Sequence, residues 1–181
     1  MGNFKGASVL FIRKMLKEKS PEMENVFISK LSHEEQILYS KCLAFTWVPI
    51  EIGTKFYEVA ASLLFPNEPN ALVKIGKQQA KDDLSGIYKI LVRFATIPYV
   101  IKQSAEFWKT YHETGQAKAA FVENKKECRF IVEQYPNLPE RFREVIQGYI
   151  EGVIELTGGK MVTVKKAEAN NNGWEWFVTW D

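Results

Sequence analysis

The sequence predicts an α+β fold, in which N-terminal helices pack on a twisted four-stranded antiparallel sheet. Apolar residues recur at helical spacing through the first two-thirds of the chain, and strand-like alternation begins after Gly115. Two hairpin patterns then follow with one strong helical pattern between them, so the order is helices, hairpin, helix, hairpin. This order is typical of one antiparallel sheet with helices on one side.

The composition predicts one domain covering residues 1–181. The chain has 181 residues, of which 46% are hydrophobic, and a chain of this length can bury a sizeable core. The net charge is +2, and the cations are scattered among acids, so no nucleic-acid partner is expected. No apolar run is long enough to span a bilayer, and the first apolar stretch precedes its charges, unlike a secretory signal. Two isolated cysteines form no disulfide framework, and we therefore expect a reduced, cytoplasmic protein without membrane insertion.

Several N-terminal helices carry recognisable start signals. Ser20 precedes Pro21, which suits the first position of a helix. Ser32 and Glu35 have the spacing of a capping box, in which each side chain bonds the other residue's backbone amide. Pro49 suits another first turn, and Asn70 is the expected cap of the helix after it.

The later elements are bounded by turn residues. A helix over "YVIKQSAEFWKTYHETG" is predicted to end at Gly115, and a turn at residues 124–126 joins the first pair of strands. Asn137 and Glu140 fit the start of the long helix, and Gly158 and Gly159 fit its end. The sequence "NNNG" at residues 170–173 then joins the last two strands.

The last strand, "GWEWFVTWD", places four large apolar side chains on one face, because alternate residues of a strand point the same way. They are Trp174, Trp176, Val178 and Trp180. This face either packs in the protein's own core or lines a pocket for an aromatic ligand. Phe177 lies on the opposite face, which suggests that this second face is covered by a partner.

Two glycines lie one turn apart in the long helix and leave a smooth groove there. Glycine costs about 1 kcal/mol relative to alanine inside a helix, so something is expected to approach closely. Close internal packing, a dimer contact and a ligand wall all remain open. The candidate ligand-binding residues are Trp174, Trp176, Trp180, Gly148, Gly152 and Tyr149.

No catalytic or metal-binding constellation is visible, so we expect a protein that is not an enzyme. His112 falls in the last turn of a predicted helix, where a histidine complements the helix dipole; a haem axial ligand is the alternative. His33 is expected on the surface. Asp82 and Asp83 are adjacent on a helix and are expected to be solvated, and Cys128 is expected to be a buried structural thiol.

The order of several motifs resembles a bacterial family of unknown function that has many paralogues in myxobacteria. The motifs are "FKGASVLF", "FTWVPIEIGTKFYEVA", "IGKQQAKDDLSGIYKIL", "EFWKTYHETGQ" and "YIEGVIELTGGKMVTVKKAEANNNGWEWFVTW". That family is similar to a superfamily of haem nitric-oxide-binding domains, 4-vinyl-reductase domains, effector-sensing domains of aromatic-responsive activators, and small subunits of the vesicle-tethering TRAPP complex. The resemblance implies helices on a twisted sheet, a ligand held between the two layers, and a homodimer.

The resemblance also bears on cofactors. The haem branch carries a Tyr-x-Ser-x-Arg signature after its histidine, and the effector-sensing branch carries zinc-ligand cysteines near its last hairpin. This chain has neither, so the expectation is that it takes no cofactor, neither haem nor zinc. The predicted function is a non-enzymatic sensory module for a small apolar or aromatic ligand. The alternative is a homodimeric interaction scaffold without a ligand.

Overall fold

The computed structural model describes residues 2–85, 95–122, 125–167 and 173–181. It confirms the predicted α+β fold, with helices packed against a four-stranded antiparallel sheet. Within these residues, no helix is both long and apolar enough to cross a membrane.

The chain begins with a small two-stranded sheet that the sequence did not reveal. Strand β1 (Asn3–Lys5) pairs antiparallel with β2 (Trp47–Pro49), so that Phe4 lies opposite Val48. Each strand has three residues, which is too short for a period of two to stand out. Both Phe4 and Val48 are buried, and this sheet therefore ties the N-terminus to the helical core.

Eight helices occur in the described part of the chain. Their bounds are α1 (Ala7–Lys19), α2 (Pro21–Ser29), α3 (His33–Lys41), α4 (Ile50–Leu64), α5 (Ala71–Asp83), α6 (Ile97–Lys102), α7 (Ser104–Tyr111) and α8 (Glu140–Leu156).

Two of the predicted helix caps are confirmed. The Ser20 side chain accepts a hydrogen bond from the Met23 amide at the start of α2. At the start of α3, Ser32 accepts from the Glu35 amide at 3.3 Å, and the Glu35 carboxylate accepts from the Ser32 amide at 2.8 Å. The expected Asn70 cap makes no side-chain hydrogen bond, because its backbone is not extended as capping requires.

Replacing Ser32 with alanine should lower the free energy of unfolding by about 1 kcal/mol, because the Glu35 amide loses its partner. Chemical denaturation measures this loss. The matched control is Ser62→Ala, since the Ser62 hydroxyl bonds only the Val59 carbonyl within α4 and is exposed. Equal losses in the two variants would contradict a capping role for Ser32.

One predicted helix boundary was wrong, and two further predictions cannot be compared with the described residues. The helix expected to run to Gly115 is broken into α6 and α7 and stops at Tyr111, after which His112 has an extended backbone. The long helix starts at Glu140, one of the two residues expected at its start, and Asn137 lies three residues before it. Residues 86–94, which were predicted to continue α5, lie outside the described residues, as does most of the turn predicted at residues 170–173.

The four-stranded sheet has the order β3-β4-β6-β5, and all its neighbours are antiparallel. Its strands are β3 (Gln116–Phe121), β4 (Glu127–Glu133), β5 (Thr163–Ala167) and β6 (Gly173–Thr179). The register places Phe130 opposite Trp176, so two large aromatic rings meet in the centre of the sheet.

The sheet buries the face that carries the tryptophans, as the core interpretation predicted. Trp176 is fully buried, Trp180 is 9% exposed, and Trp174 is partly buried against the core. Phe177, on the opposite face, is 41% exposed, and the Arg129 guanidinium lies 5.0 Å from its ring centroid. Coverage of this face by a partner, and the homodimer itself, stay predictions.

Helices α5 and α8 pack closely along a seam of glycines. A Cβ at Gly148 would overlap the carbonyl oxygen of Val73, and one at Gly76 would overlap that of Val145. A Cβ at Gly152 would lie 2.8 Å from both the Ala80 Cβ and the Lys77 carbonyl oxygen. Of the three alternatives for these glycines, the structure therefore shows close internal packing.

Candidate ligand site between the helices and the sheet

A cavity of about 770 Å³ lies between the helical layer and the sheet. Its wall draws residues from α1, α4, α5, α6, α7 and α8 and from strand β4. Most of the wall is apolar or aromatic, including Ile101, Phe107, Trp108, Phe130, Phe142 and Ile154. Both the volume and the apolar lining are typical of a small-molecule site.

His112 lies in the wall of this cavity and is held there through its backbone. Its amide donates to the Trp108 carbonyl at 2.8 Å, which closes helix α7. On the other side, His112 forms a bridge with Phe4, and the next amide, that of Glu113, donates to the Asn3 carbonyl at 3.0 Å. The end of a helix and the edge of β1 therefore fix its position together.

Aromatic rings fix the orientation of the imidazole. The Trp108 ring stacks on it with centroids 3.9 Å apart and an angle of 11° between the planes. Trp108 is itself anchored, because its indole N–H donates to the Thr114 carbonyl at 2.9 Å. The Phe142 ring meets the imidazole edge to face at 5.9 Å.

The imidazole of His112 is neutral. Burial disfavours the charged form and lowers the pKa of His112 to about 3. The predicted interaction with a helix dipole needs the protonated ring, which burial disfavours. Its Nδ1 atom is buried and has no hydrogen-bond partner within the described ranges. A neutral imidazole in a cavity wall is suited to binding a metal.

The α5 side of the cavity wall is more polar. Asp83 lines the cavity, where the Gln79 amide lies 3.5 Å from its Oδ2 atom and the Tyr149 side chain faces it. Burial raises the pKa of Asp83 to about 6. The two aspartates were expected on one solvated face, and both are partly exposed, but Asp83 lines the cavity whereas Asp82 pairs with Lys14.

The three predicted tryptophans lie outside the cavity lining. Trp176 donates its indole N–H to the Arg143 carbonyl at 3.3 Å, and Trp174 donates to the Tyr135 carbonyl at 2.7 Å. The backbone amide of Trp180 bonds the Lys126 carbonyl at 3.1 Å. Each of the three tryptophans therefore forms a hydrogen bond with a backbone carbonyl of the protein: Trp174 and Trp176 through the indole N–H, and Trp180 through its backbone amide.

Of the three candidates on the long helix, only Tyr149 lines the cavity. Gly148 and Gly152 face helix α5 instead. The ligand-binding role of all six candidate residues stays a prediction, and the position of the cavity favours Tyr149 among them.

Sequence reasoning missed most of the cavity wall. Phe142 was assigned only to the apolar face of the long helix, yet it contacts the rings of His112, Tyr57 and Phe4. Trp108 was not singled out, although its spacing of four residues from His112 on a helical pattern predicts neighbouring side chains. Cys128 and His33 match expectation: Cys128 is buried and His33 is exposed.

Comparison with known proteins supports the fold. No protein-family model and no curated protein matches the sequence. The structure resembles an H-NOX protein from S. oneidensis in its Fe(II)NO state, with a TM-score of 0.71 and 12% identity, covering 98% of this chain and 99% of that one. It also resembles an unliganded Fe(II) H-NOX protein from K. algicida, with a TM-score of 0.68 and 11% identity, covering 98% and 96%. At these identities the likeness shows a shared fold.

The expectation of no cofactor is corrected by these comparisons. Solved structures that share this fold include H-NOX proteins in Fe(II) and Fe(II)NO states, and another at 13% identity concerns haem distortion in that family. The exclusion of haem rested on the absent Tyr-x-Ser-x-Arg signature and overlooked the cavity and the neutral His112. The resemblance to the myxobacterial family stays a prediction.

Proposed function

We propose that this chain is a haem-binding sensory module in which His112 is the axial ligand of the iron. The observation that carries the proposal is a neutral imidazole, stacked on Trp108, in the wall of a cavity of about 770 Å³. A proximal histidine is a common protein ligand of haem iron. The shared fold with H-NOX proteins supports the same assignment.

The residues present fit haem in two respects. The cavity volume lies in the upper part of the range for small-molecule sites, roughly 300–1,000 Å³. Its aromatic and aliphatic wall suits a large planar apolar ring, which Phe142, Ile146 and Ile154 would contact. The second respect is the imidazole, which keeps a nitrogen lone pair for iron because burial holds it neutral.

The cavity has no cationic side chain, among the described lining residues, that could bind the carboxylates of haem, since neither lysine nor arginine occurs there. The two arginines beside Phe142 are engaged elsewhere: Arg141 pairs with Glu58 at 3.2 Å, and Arg143 lies 3.8 Å from the Trp174 ring centroid. Uncharged donors on α6 and just after it, Tyr99 and Gln103, line the cavity and would bind the haem carboxylates instead.

The protein would hold the His112 imidazole in place beside the haem and surround the haem with apolar side chains. A bound haem would supply an iron atom able to take a diatomic gas. Trp108 and Phe142 hold the imidazole in one orientation, and the apolar wall keeps water from the space around it. Because β1 and helix α7 meet at His112, a movement of the imidazole would displace both elements.

Haem titration of the purified protein tests this proposal. The wild type should take up one haem per chain and show the absorption spectrum of histidine-ligated ferrous haem. His112→Gly should lose that spectrum, and added imidazole should restore it, because the variant leaves room for a free imidazole beside Trp108. His33→Gly is the matched control, since His33 is exposed on α3 and should leave the spectrum unchanged.

Two results would contradict the assignment. One is a wild type that takes up no haem under reducing conditions. The other is a His112→Gly variant that keeps the wild-type spectrum without imidazole, which would place another ligand on the iron.

A second candidate occupant is a small apolar or aromatic molecule, as the sequence predicted. The specific observation in its favour is the lack of lysine and arginine on the described part of the wall. Native mass spectrometry of protein purified from cells separates the two candidates, because haem and a smaller organic ligand add different masses that leave on denaturation.

A further inference from the structure

A group of hydrogen-bonded polar side chains lies on the α5 side of the cavity, apart from the residues that hold His112. The polar group consists of Ser8, Tyr57, Gln79, Asp83 and Tyr149, all of which line the cavity. They come from four helices, α1, α4, α5 and α8, so the packing of the whole helical layer brings them together.

The hydrogen bonds of the polar group converge on Asp83. The Tyr57 hydroxyl donates to the Gln79 carbonyl oxygen, and the Gln79 amide donates to the Ser8 hydroxyl at 3.0 Å. The same amide lies 3.5 Å from the Asp83 carboxylate, and the Tyr149 side chain faces that carboxylate. A carboxylate has about four acceptor positions, so acceptor capacity is left over.

No cation of the described residues pairs with Asp83. The nearest lysine on α1, Lys14, forms its ion pair with Asp82. The titratable groups that face Asp83 are Tyr57 from α4, Tyr149 from α8 and Asp82 on its own helix; Asp82 disfavours the charge of Asp83. A carboxylate in such surroundings is stabilised by a cationic partner, because a buried charge without one is costly.

We infer that the polar group is a recognition site for a protonated amine carried on an apolar or aromatic body. The ammonium group would donate to the Asp83 carboxylate, and the rings of Tyr57 and Tyr149 would supply cation–π attraction. The apolar part of the ligand would lie against the aliphatic wall contributed by Val145, Ile146 and Val153. The site uses residues other than His112 and does not rest on the binding of haem.

Isothermal titration calorimetry of the full, haem-free chain with two matched probes tests the site. The probes are 2-phenylethylamine and 2-phenylethanol, which share the ring and differ in the charged group. At pH 7.5 the amine should bind with at least roughly tenfold higher affinity than the alcohol, because only the amine forms a charge pair with Asp83.

Two substitutions isolate the carboxylate. Asp83→Asn keeps the size and most of the hydrogen bonding of the side chain, and it should remove the preference for the amine while leaving the weak binding of the alcohol. Asp82→Asn is the control, because it removes the neighbouring carboxylate that pairs with Lys14, and the preference should remain. Retained binding of 2-phenylethanol in Asp83→Asn shows that the cavity is intact.

The pH profile supplies a further check. Asp83 must be ionised and the amine protonated, so affinity for the amine should be constant between about pH 7 and 9 and should fall as the pH drops through about 6. The affinity for the alcohol should not follow this course.

Three outcomes would overturn the inference. They are equal affinities for the two probes, an unchanged amine preference in Asp83→Asn, and no detectable binding of either probe. His112→Gly should keep the amine preference. A protein that binds the amine but takes up no haem would therefore contradict only the proposed function, and one that takes up haem but does not distinguish the probes would contradict only this inference.

Discussion

Replacing Trp176 with alanine should lower the free energy of unfolding by about 3–5 kcal/mol, because it removes a fully buried indole and leaves a cavity in the core. The substitution also frees the Arg143 carbonyl, which accepts the indole N–H at 3.3 Å, and removes the edge-to-face contact with Phe130. For a protein of this size the midpoint of thermal unfolding should fall by roughly 6–20 °C. Calorimetry or circular dichroism of the purified variant measures this midpoint.

Phe177→Ala is the matched control for this variant. Phe177 is the next residue of β6, points to the opposite face and is 41% exposed. Its loss should cost about 1 kcal/mol, most of it from the contact with Arg129. If the two substitutions destabilised the protein equally, the assignment of the tryptophan face to the core would be wrong.

Replacing Gly148 with valine should destabilise the protein by about 3 kcal/mol or more, because the new side chain would overlap the backbone carbonyl of Val73 on α5. A backbone atom cannot turn aside as a flexible side chain can, so the two helices must separate. The gain in helix propensity on replacing glycine is below about 1 kcal/mol and does not offset the overlap. Urea denaturation gives the change in stability.

Glu155→Val provides the comparison, because it introduces the same side chain at an exposed position of the same helix. This variant loses only the ion pair with Lys77, at 2.6 Å, which is exposed and contributes little. The free energy of unfolding of Glu155→Val should fall by about 1 kcal/mol. A Gly148→Val variant as stable as Glu155→Val would show that α5 and α8 are not tightly packed in solution.

The proposed haem site and the proposed amine site lie in one cavity and use different residues. His112 is fixed by Trp108 and by the N-terminal strand, whereas Asp83 is surrounded by tyrosines and glutamine. Phe142 and Tyr57 connect the two, since their rings meet at 5.7 Å and Tyr57 bonds Gln79. A ligand at either site would therefore change the packing around the other.

Elements with local signals were predicted correctly from the amino-acid sequence. The capping box at Ser32 and Glu35 needs only residues three apart, and it was predicted correctly. The alternation of Trp174, Trp176 and Val178 likewise predicted one buried face of a strand, because strand geometry sends alternate side chains to the same side.

The tertiary structure alone decided which residues form the cavity. His112 was assigned to a helix dipole and Asp83 to solvent, since each has an ordinary polar neighbourhood in sequence. Their surroundings come from distant residues: Phe4 and Phe142 meet His112, and Tyr57 and Tyr149 surround Asp83. Burial by such distant residues shifts the pKa of both groups, and the periodicity of the sequence carries no information about that burial.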